Sequence, residues 1–305
     1  MLMKCKMIHL KKQNKTTQQK QTKTFFEKEA FKWSERADIV KNSVPNTIIQ
    51  RNTFALKIIK KYNLKNHLDA GCGSGDLCFA SSKITKNSVG LDFSKKMISI
   101  ANKKFKRKNL QFYDQSVFDF KTSRKFDAIS AIGFLEYLSF DEIKKFISHC
   151  DKLMTDDGVL ILGSRNRLYN LFSLNKFTEL ELNLKSYKNL IKESIDLNKS
   201  NLKNFLKNNK NKMEETPFRQ PTTTGIKVNV RNQFSPGQIN NLLSKLNFNI
   251  IDLEPINYHP VSPKIYNLGN NDYRKISNFI MKDGDKLPLI PFSSSFIVAA
   301  KKTKR

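Results

Sequence analysis

The residues best suited to chemistry stand in one short run, Leu68-Asp69-Ala70-Gly71-Cys72-Gly73-Ser74-Gly75-Asp76. Glycines at alternate positions let a backbone turn tightly and approach a ligand that a Cβ would hold off. Asp92 follows seventeen residues after Gly75, closing the apolar stretch Val89-Gly90-Leu91. A carboxylate at the tip of a strand accepts the hydroxyl protons of a ribose. The glycine turn and the acid together point to a nucleoside ligand, which the turn alone would not. Dinucleotides favour GxGxxG, but Asp76 stands where its third glycine would be, and the spacing reads GxGxG. Asp69, just before the turn, would repel a pyrophosphate and suits a cationic amino-acid moiety. These departures favour S-adenosylmethionine over a nicotinamide dinucleotide.

Such a turn works only at the end of a strand and the start of a helix, and the surrounding chain supplies both. His67–Ala70 reads as a strand, and strands and helices alternate after it. Strands are expected at Val89–Asp92, Leu110–Tyr113, Phe126–Ser130 and Val159–Gly163, with helices at Lys95–Lys104 and Asp141–Met154. A helix over Thr47–Tyr62 and another including Phe25–Trp33 precede them. This rhythm predicts an α/β, Rossmann-like domain whose parallel sheet is covered on both faces. The rhythm breaks over residues 165–225, which read as a helical lid insertion with Leu184, Tyr187, Ile191 and Ile195 on one face. It resumes at Ser235-Pro236, an N-cap with proline in the first turn, followed by strands at Phe248–Leu253 and Ser295–Ala300. Residues 1–24 are polar and low in complexity, and are expected to be a flexible basic tail. Residues 25–164 and 226–305 then form the two parts of one core.

The net charge of +28 is carried almost wholly by lysine, spread along the chain and interleaved with asparagine. Arginine, the residue that contacts phosphate and guanine bidentately, is scarce. Nucleic acid is therefore a possible partner but not the favoured one, and peripheral membrane contact stays open. No apolar run is long enough to span a bilayer, and no signal peptide is evident. The four cysteines, Cys5, Cys72, Cys78 and Cys150, make no zinc-type cluster and suggest reduced thiols in a cytoplasmic protein.

LDAGCGSGD resembles the first motif of class I S-adenosylmethionine-dependent methyltransferases, VGLDFSKKMISIA the second, and FDAISAIGFLEYL the fourth-strand motif. FSPGQINNLLSKLNFNIIDLEP with SSSFIVAAKK resembles the closing helix and reversed strand pair of that fold. The resemblance implies a seven-stranded, mostly parallel sheet with a reversed C-terminal strand. It implies that Gly71, Gly73 and Gly75 line the methionine and ribose side of the cofactor. Asp92 would hold the ribose, Phe93 and Met97 would flank the adenine, and Asp69 and Ile132 would belong to the same site. Ser116, or Asp114 two residues earlier, stands where relatives place an acid for the adenine amino group. Arg51 lies twenty residues before Gly71, a spacing similar to quinone-type O-methyltransferases, where an arginine contacts the cofactor's carboxylate; a solvated helix arginine is the equal alternative. The metal-binding ExxEH pattern of some such enzymes would need an acid at Gly133 and a histidine at Tyr137, so no metal is expected.

Methyl transfer from a sulfonium is an in-line displacement with an activated leaving group, so alignment is the main task. A base is needed only if the acceptor must lose a proton. His259 is the candidate, after a late strand, although an ordinary loop histidine fits the pattern as well. His149 falls between the apolar positions of its helix and reads as a surface residue. Arg165, Arg167 and Tyr169 leave the fifth strand where acceptors bind, or else the arginines hold the insertion in place. Phe25, Phe26 and Trp33 either cap the pocket or pack as core. The expected activity is methylation, at oxygen, of a small molecule such as a quinone, a glycan precursor or another metabolite. The alternatives are an RNA methyltransferase and a non-catalytic cofactor-binding protein.

Overall fold

A computed structural model describes residues 15–38, 45–213, 228, 231–264, 271–283 and 285–303. Two helices, α1 (Lys15–Ala37) and α2 (Thr47–Lys61), lead into alternating strands and helices. These are β1 (Asn66–Ala70), α3 (Asp76–Ser81), β2 (Asn87–Leu91), α4 (Lys95–Lys104), β3 (Leu110–Tyr113), β4 (Phe126–Ala131), α5 (Phe140–Leu153) and β5 (Met154–Arg165). Four helices follow β5: α6 (Tyr169–Ser173), α7 (Lys176–Asn183), α8 (Tyr187–Lys199) and α9 (Leu202–Asn208). The chain then forms α10 (Pro236–Lys245), β6 (Phe248–Tyr258), α11 (Asn271–Asp283), α12 (Lys286–Leu289) and β7 (Ser293–Lys302).

The seven strands form one sheet in the order β3-β2-β1-β4-β5-β7-β6. All neighbours among the first five are parallel, and β7 lies antiparallel between β5 and β6. The chain reverses direction across the sheet between β1 and β4. Open α/β sheets bind ligands beyond the carboxyl ends of the strands at such a switch point. The central strands are buried on both faces, from Leu68 to Ala70 and from Val159 to Ser164. Helices cover both sides: Ile143, Phe146 and Ile147 of α5 pack in one core, and Phe54, Ile58 and Ile59 of α2 in another. Local chemistry sets the helix starts. Asn46 caps α2, Ser94 caps α4, and Ser139 and Ser235 form capping boxes with Glu142 and Gln238.

Two expectations change. Helix α1 begins at Lys15, ten residues inside the expected tail. Its first turns are polar because they bury only an occasional small residue, such as Thr22, and so show no apolar period. In α8 the inward face is Leu190, Glu193 and Leu197, while Ile191 and Ile195 stand about half exposed at 46% and 47%. The buried carboxylate explains the rotation. Glu193 accepts hydrogen bonds from Gly237 N (2.6 Å), Ser235 Oγ (2.7 Å) and Asn211 Nδ2 (2.7 Å), at the N-terminus of α10. An acid there satisfies orphan backbone donors and meets the positive end of the helix dipole.

Candidate active site

A cavity of about 450 Å³ opens at the carboxyl ends of β1, β2 and β4 and is walled on its far side by α1. That volume lies within the range of small-molecule sites. The glycine turn forms its floor. Gly71 has φ +75°, and a Cβ there would stand 2.9 Å from Phe134, so glycine is required twice over. Gly75 caps α3 with φ +81°, and a Cβ there would meet the Phe112 ring at 2.6 Å; its role is packing, behind the cavity wall.

Asp92 lines the cavity and ties the turn to β2. Its Oδ2 accepts from Gly73 N (3.0 Å) and its Oδ1 from Ser94 N (2.9 Å). Burial pushes its pKa up to about 6, against the pull of those two amides. Asp69 also borders the cavity, and burial raises it to about 7 although Ser130 Oγ donates to it at 2.5 Å. Behind Asp69, His67 bridges Ser130 Oγ and Ser81 Oγ at 2.8 Å each. His67 lies within β1, not before it, and burial pulls its pKa down to about 3.

The opposite wall comes from α2, the 3₁₀ turn Leu135–Tyr137 and residue 231. Glu136 Oε1 accepts from Arg231 Nε (2.9 Å) and Nη2 (2.7 Å), while its Oε2 is buried with no hydrogen-bond partner among the described residues. Burial opposes its ionisation, but Arg231, Arg51 and Arg165 outweigh that and hold the carboxyl below its usual range. Arg51 is anchored by Nη2 on Ser295 Oγ (2.8 Å), and its Nε is a buried donor with no partner among the described residues. Burial lowers its pKa. Glu136 and Arg51 thus put an acid and a cation side by side on one cavity wall, complementary in charge to the ammonium and carboxylate of an amino acid. Phe26 sits edge-on to both Trp33 and Tyr137, with ring centroids 5.4 Å apart in each case. Glu27 of α1 accepts from Lys95 N (2.7 Å) at the start of α4, which fixes α1 across the mouth.

Residues 68–160 match the family described as Methyltransferase domain. Over 127 residues the chain is 25% identical to a ubiquinone biosynthesis O-methyltransferase of Rhodopseudomonas palustris, covering 41% of this chain and 48% of that one. It is 30% identical over 132 residues to one of Pelagibacter ubique, covering 42% and 51% respectively. The chain spans about half the length of these curated relatives. In fold it is similar to magnesium protoporphyrin IX methyltransferase of Synechocystis PCC 6803, solved with bound SAH, at a TM-score of 0.54 and 16% identity over 94% of this chain and 100% of that one. It is also similar to 1,6-didemethyltoxoflavin-N1-methyltransferase of Burkholderia thailandensis, at a TM-score of 0.55 and 11% identity over 98% and 94%. Together these likenesses support a class I S-adenosylmethionine-dependent methyltransferase, with a methyltransferase domain over residues 68–160.

The fold brings most of the sequence-predicted cofactor residues to one cavity wall. Arg51, Asp69, Gly71, Gly73 and Asp92 border it, as do Phe93, Met97, Ser116 and Ile132. Gly75 does not. Asp114 is exposed and outside the wall, and Ser116 Oγ accepts from Phe118 N at 3.3 Å. The acceptor residues read from sequence lie elsewhere. His259 is buried under Tyr169 (centroids 4.8 Å apart), meets Tyr273 Oη at 3.1 Å and Asn257 Nδ2 at 3.1 Å, and is pulled down to about 4 by burial. It packs the end of β6 and does not reach the cavity. Arg167 is 4% exposed and gives Glu181 hydrogen bonds of 2.9–3.0 Å from Nε and Nη2, with a further bond to Ser186 Oγ at 2.8 Å. It locks the insertion to β5 and has no face for an acceptor. Arg165 lies behind the wall, 5.3 Å over the Phe177 ring. Among the described residues, none of the 165–225 insertion lines the cavity; α1 does. Glu136 and Arg231 were missed as site residues. The Leu135-Glu136-Tyr137 triplet marked the place, but Arg231, ninety-five positions away in sequence, carried no local signal.

Proposed function

We propose that this chain transfers the methyl group of S-adenosylmethionine to an oxygen of a small molecule bound between the glycine turn and α1. The observation that carries this reading is the two-ended cavity. A carboxylate suited to a ribose, Asp92, stands at one end, and the acid–cation pair Glu136 and Arg51 at the other. Bound there, the cofactor supplies an electrophilic methyl on a sulfonium. Asp92 holds the ribose, Glu136 and Arg51 orient the amino-acid end, and Phe26, Trp33 and Tyr137 shield the reacting centre from water. Relatives named for ubiquinone biosynthesis support oxygen as the acceptor atom. The enclosure by α1 favours a small acceptor over RNA. No helix of the described residues is long and apolar enough to cross a membrane, and the free thiols of Cys72, Cys78 and Cys150 suit a reducing, cytoplasmic setting.

Calorimetric titration with S-adenosylhomocysteine tests the cofactor half, with one-to-one binding expected. Incubation with methyl-labelled S-adenosylmethionine and separate RNA and small-molecule fractions of a cell extract tests the acceptor half. Label confined to the RNA fraction would overturn the small-molecule reading.

A further inference from the structure

Helix α11 presents an apolar face that the cofactor cavity does not use. Phe279 is 69% exposed and Ile276 53% exposed, three positions apart and so neighbours on the helix surface. Phe279 shares with Phe31 of α1 the highest exposure of any large apolar side chain among the described residues. The opposite face of α11 is fastened down. Tyr273 and Ser277 are buried there. Tyr273 Oη donates to Val261 O (2.9 Å) and meets His259 Nδ1 (3.1 Å), and Ser277 Oγ donates to Tyr258 O. Single exposed apolar side chains are ordinary, but a pair held outward by an anchored helix makes a surface.

Connectivity places α11 at the cavity end of the sheet. Strand β6 runs parallel to β5, because β7 lies antiparallel to both. Tyr258 therefore ends β6 on the side where β1, β2 and β4 open into the cavity, and α11 packs on it. Gln50 Nε2 donates to Asn278 Oδ1 (2.7 Å), and the next residue, Arg51, lines the cavity. Arg274, Lys275 and Lys282 are exposed on the same helix. Over residues 264–286, Lys264 and Lys286 bring the cations to five, against three acids, Asp272, Asp283 and Asp285. Two apolar side chains cover far less than the roughly 800 Å² per partner of a stable protein interface, and a second copy would set the same cations face to face. A lipid surface needs only a shallow apolar insertion flanked by cations at the head groups.

We propose that α11 docks this protein on an anionic lipid bilayer, with Phe279 and Ile276 inserted below the head groups and the cavity end turned toward the membrane. The field of a chain of net charge +28 draws it to an anionic surface, and the apolar pair holds it there. Arg274 and Lys282 meet the lipid phosphates. The helix lies in the plane of the interface and spans nothing.

The full chain is mixed with sucrose-loaded vesicles of phosphatidylcholine containing about a quarter phosphatidylglycerol, and bound protein is read by sedimentation. Binding is expected, and should be at least about fivefold weaker to phosphatidylcholine alone. Ile276→Ser with Phe279→Ser should weaken it at least about tenfold. Both side chains are exposed, so S-adenosylhomocysteine affinity and the unfolding transition should not move. Absence of binding, or binding that the double variant retains, overturns the docking. Equal binding to phosphatidylcholine alone overturns the anionic surface. Self-association through these residues in analytical ultracentrifugation, with the vesicles left unbound, overturns it in favour of a second copy. Phe279→Trp supplies a readout that needs no loss of binding. Its fluorescence should be quenched by bilayers of brominated lipid well beyond the signal of the parent, whose sole tryptophan is Trp33; quenching equal to the parent's overturns insertion. Failure of the parent to bind S-adenosylhomocysteine would remove the methyltransferase reading and leave the docking untouched.

Discussion

Replacing Asp92 with Asn separates what this carboxylate does for folding from what it does for the cofactor. At neutral pH its burial is a cost. With the folded pKa at about 6 against an ordinary value near 3.9, ionisation in the fold is disfavoured by about 3 kcal/mol. That penalty is absent below pH 4 and complete above pH 6, because the folded state holds the proton more tightly. Asn does not carry it, but it offers one acceptor oxygen where Asp92 offers two, to Gly73 N and Ser94 N. Losing one of those bonds costs about 1–3 kcal/mol. The two effects nearly offset, so chemical denaturation at pH 7.5 should place Asp92→Asn within about 2 kcal/mol of the parent. The cofactor has no such compensation. A charge-assisted bond to a ribose hydroxyl contributes about 1.5–3 kcal/mol, so S-adenosylhomocysteine should bind roughly 10- to 150-fold more weakly by calorimetry. In the parent, affinity should also fall as the pH drops below about 6, where a proton occupies the accepting oxygen. An affinity unchanged in Asp92→Asn, or a loss of binding only in step with unfolding, would refute the ribose assignment.

Four further expectations follow from particular contacts. Arg167→Ala leaves Glu181 buried with its main partner gone and should destabilise the chain by about 3–5 kcal/mol; the double change Arg167→Met with Glu181→Leu should recover most of that in the same denaturation assay. His67 stays neutral in the fold, so its contribution is full above pH 6.5 and is lost as the pH falls toward about 3. Between pH 7 and pH 5 the stability difference between parent and His67→Gln should therefore shift by about 2 kcal/mol, and a flat difference would mean that His67 takes up a proton where it lies. Gly71→Ala forces a β-carbon to 2.9 Å from Phe134 at a positive φ, at a cost of about 1–2 kcal/mol, and should weaken cofactor binding measured by calorimetry. Turnover should survive EDTA, because Gly133 and Tyr137 stand where a metal site of the ExxEH type would place its acid and histidine; activity lost in EDTA and restored by a divalent ion would contradict this.

Most of the fold was legible because its signals are local. The alternation of apolar strands and amphipathic helices, the Ser94 and Ser235 caps and the glycine turn are each written in fewer than fifteen residues, and every expected strand appears in the sheet. Strand ends were less legible: β5 and β6 run on to Arg165 and Tyr258, since edge pairing with β7 extends them beyond their apolar runs. That the expected cofactor residues gather on one cavity wall was legible for the same local reason. What escaped is long-range. The Arg231–Glu136 pair joins segments ninety-five residues apart, and no residue pattern near either one announces the other. The inward Glu193 of α8 reads as a surface acid until α10 is seen to begin on it.

The acceptor side was misread because position along the fold was used in place of direction. Arg165, Arg167, Tyr169 and His259 do leave the carboxyl ends of β5 and β6, where ligands gather in such sheets. Here the sheet continues past β5 into β7 and β6, and the helices after β5 pack against that side. Arg167 then meets Glu181, and His259 meets Tyr169 and Tyr273. The cavity lies nearer the switch point between β1 and β4, and what closes it comes from the other end of the chain. Helix α1 can serve because Glu27 fastens it to the start of α4 and Phe26 seats it on Tyr137. Its polar opening turns then have a purpose that a tail would lack: Lys20 and Lys23 bring charge to the rim of a site whose floor is acidic. The insertion, freed from covering the cavity, braces α10 through Glu193, and substitutions there should change stability before they change binding.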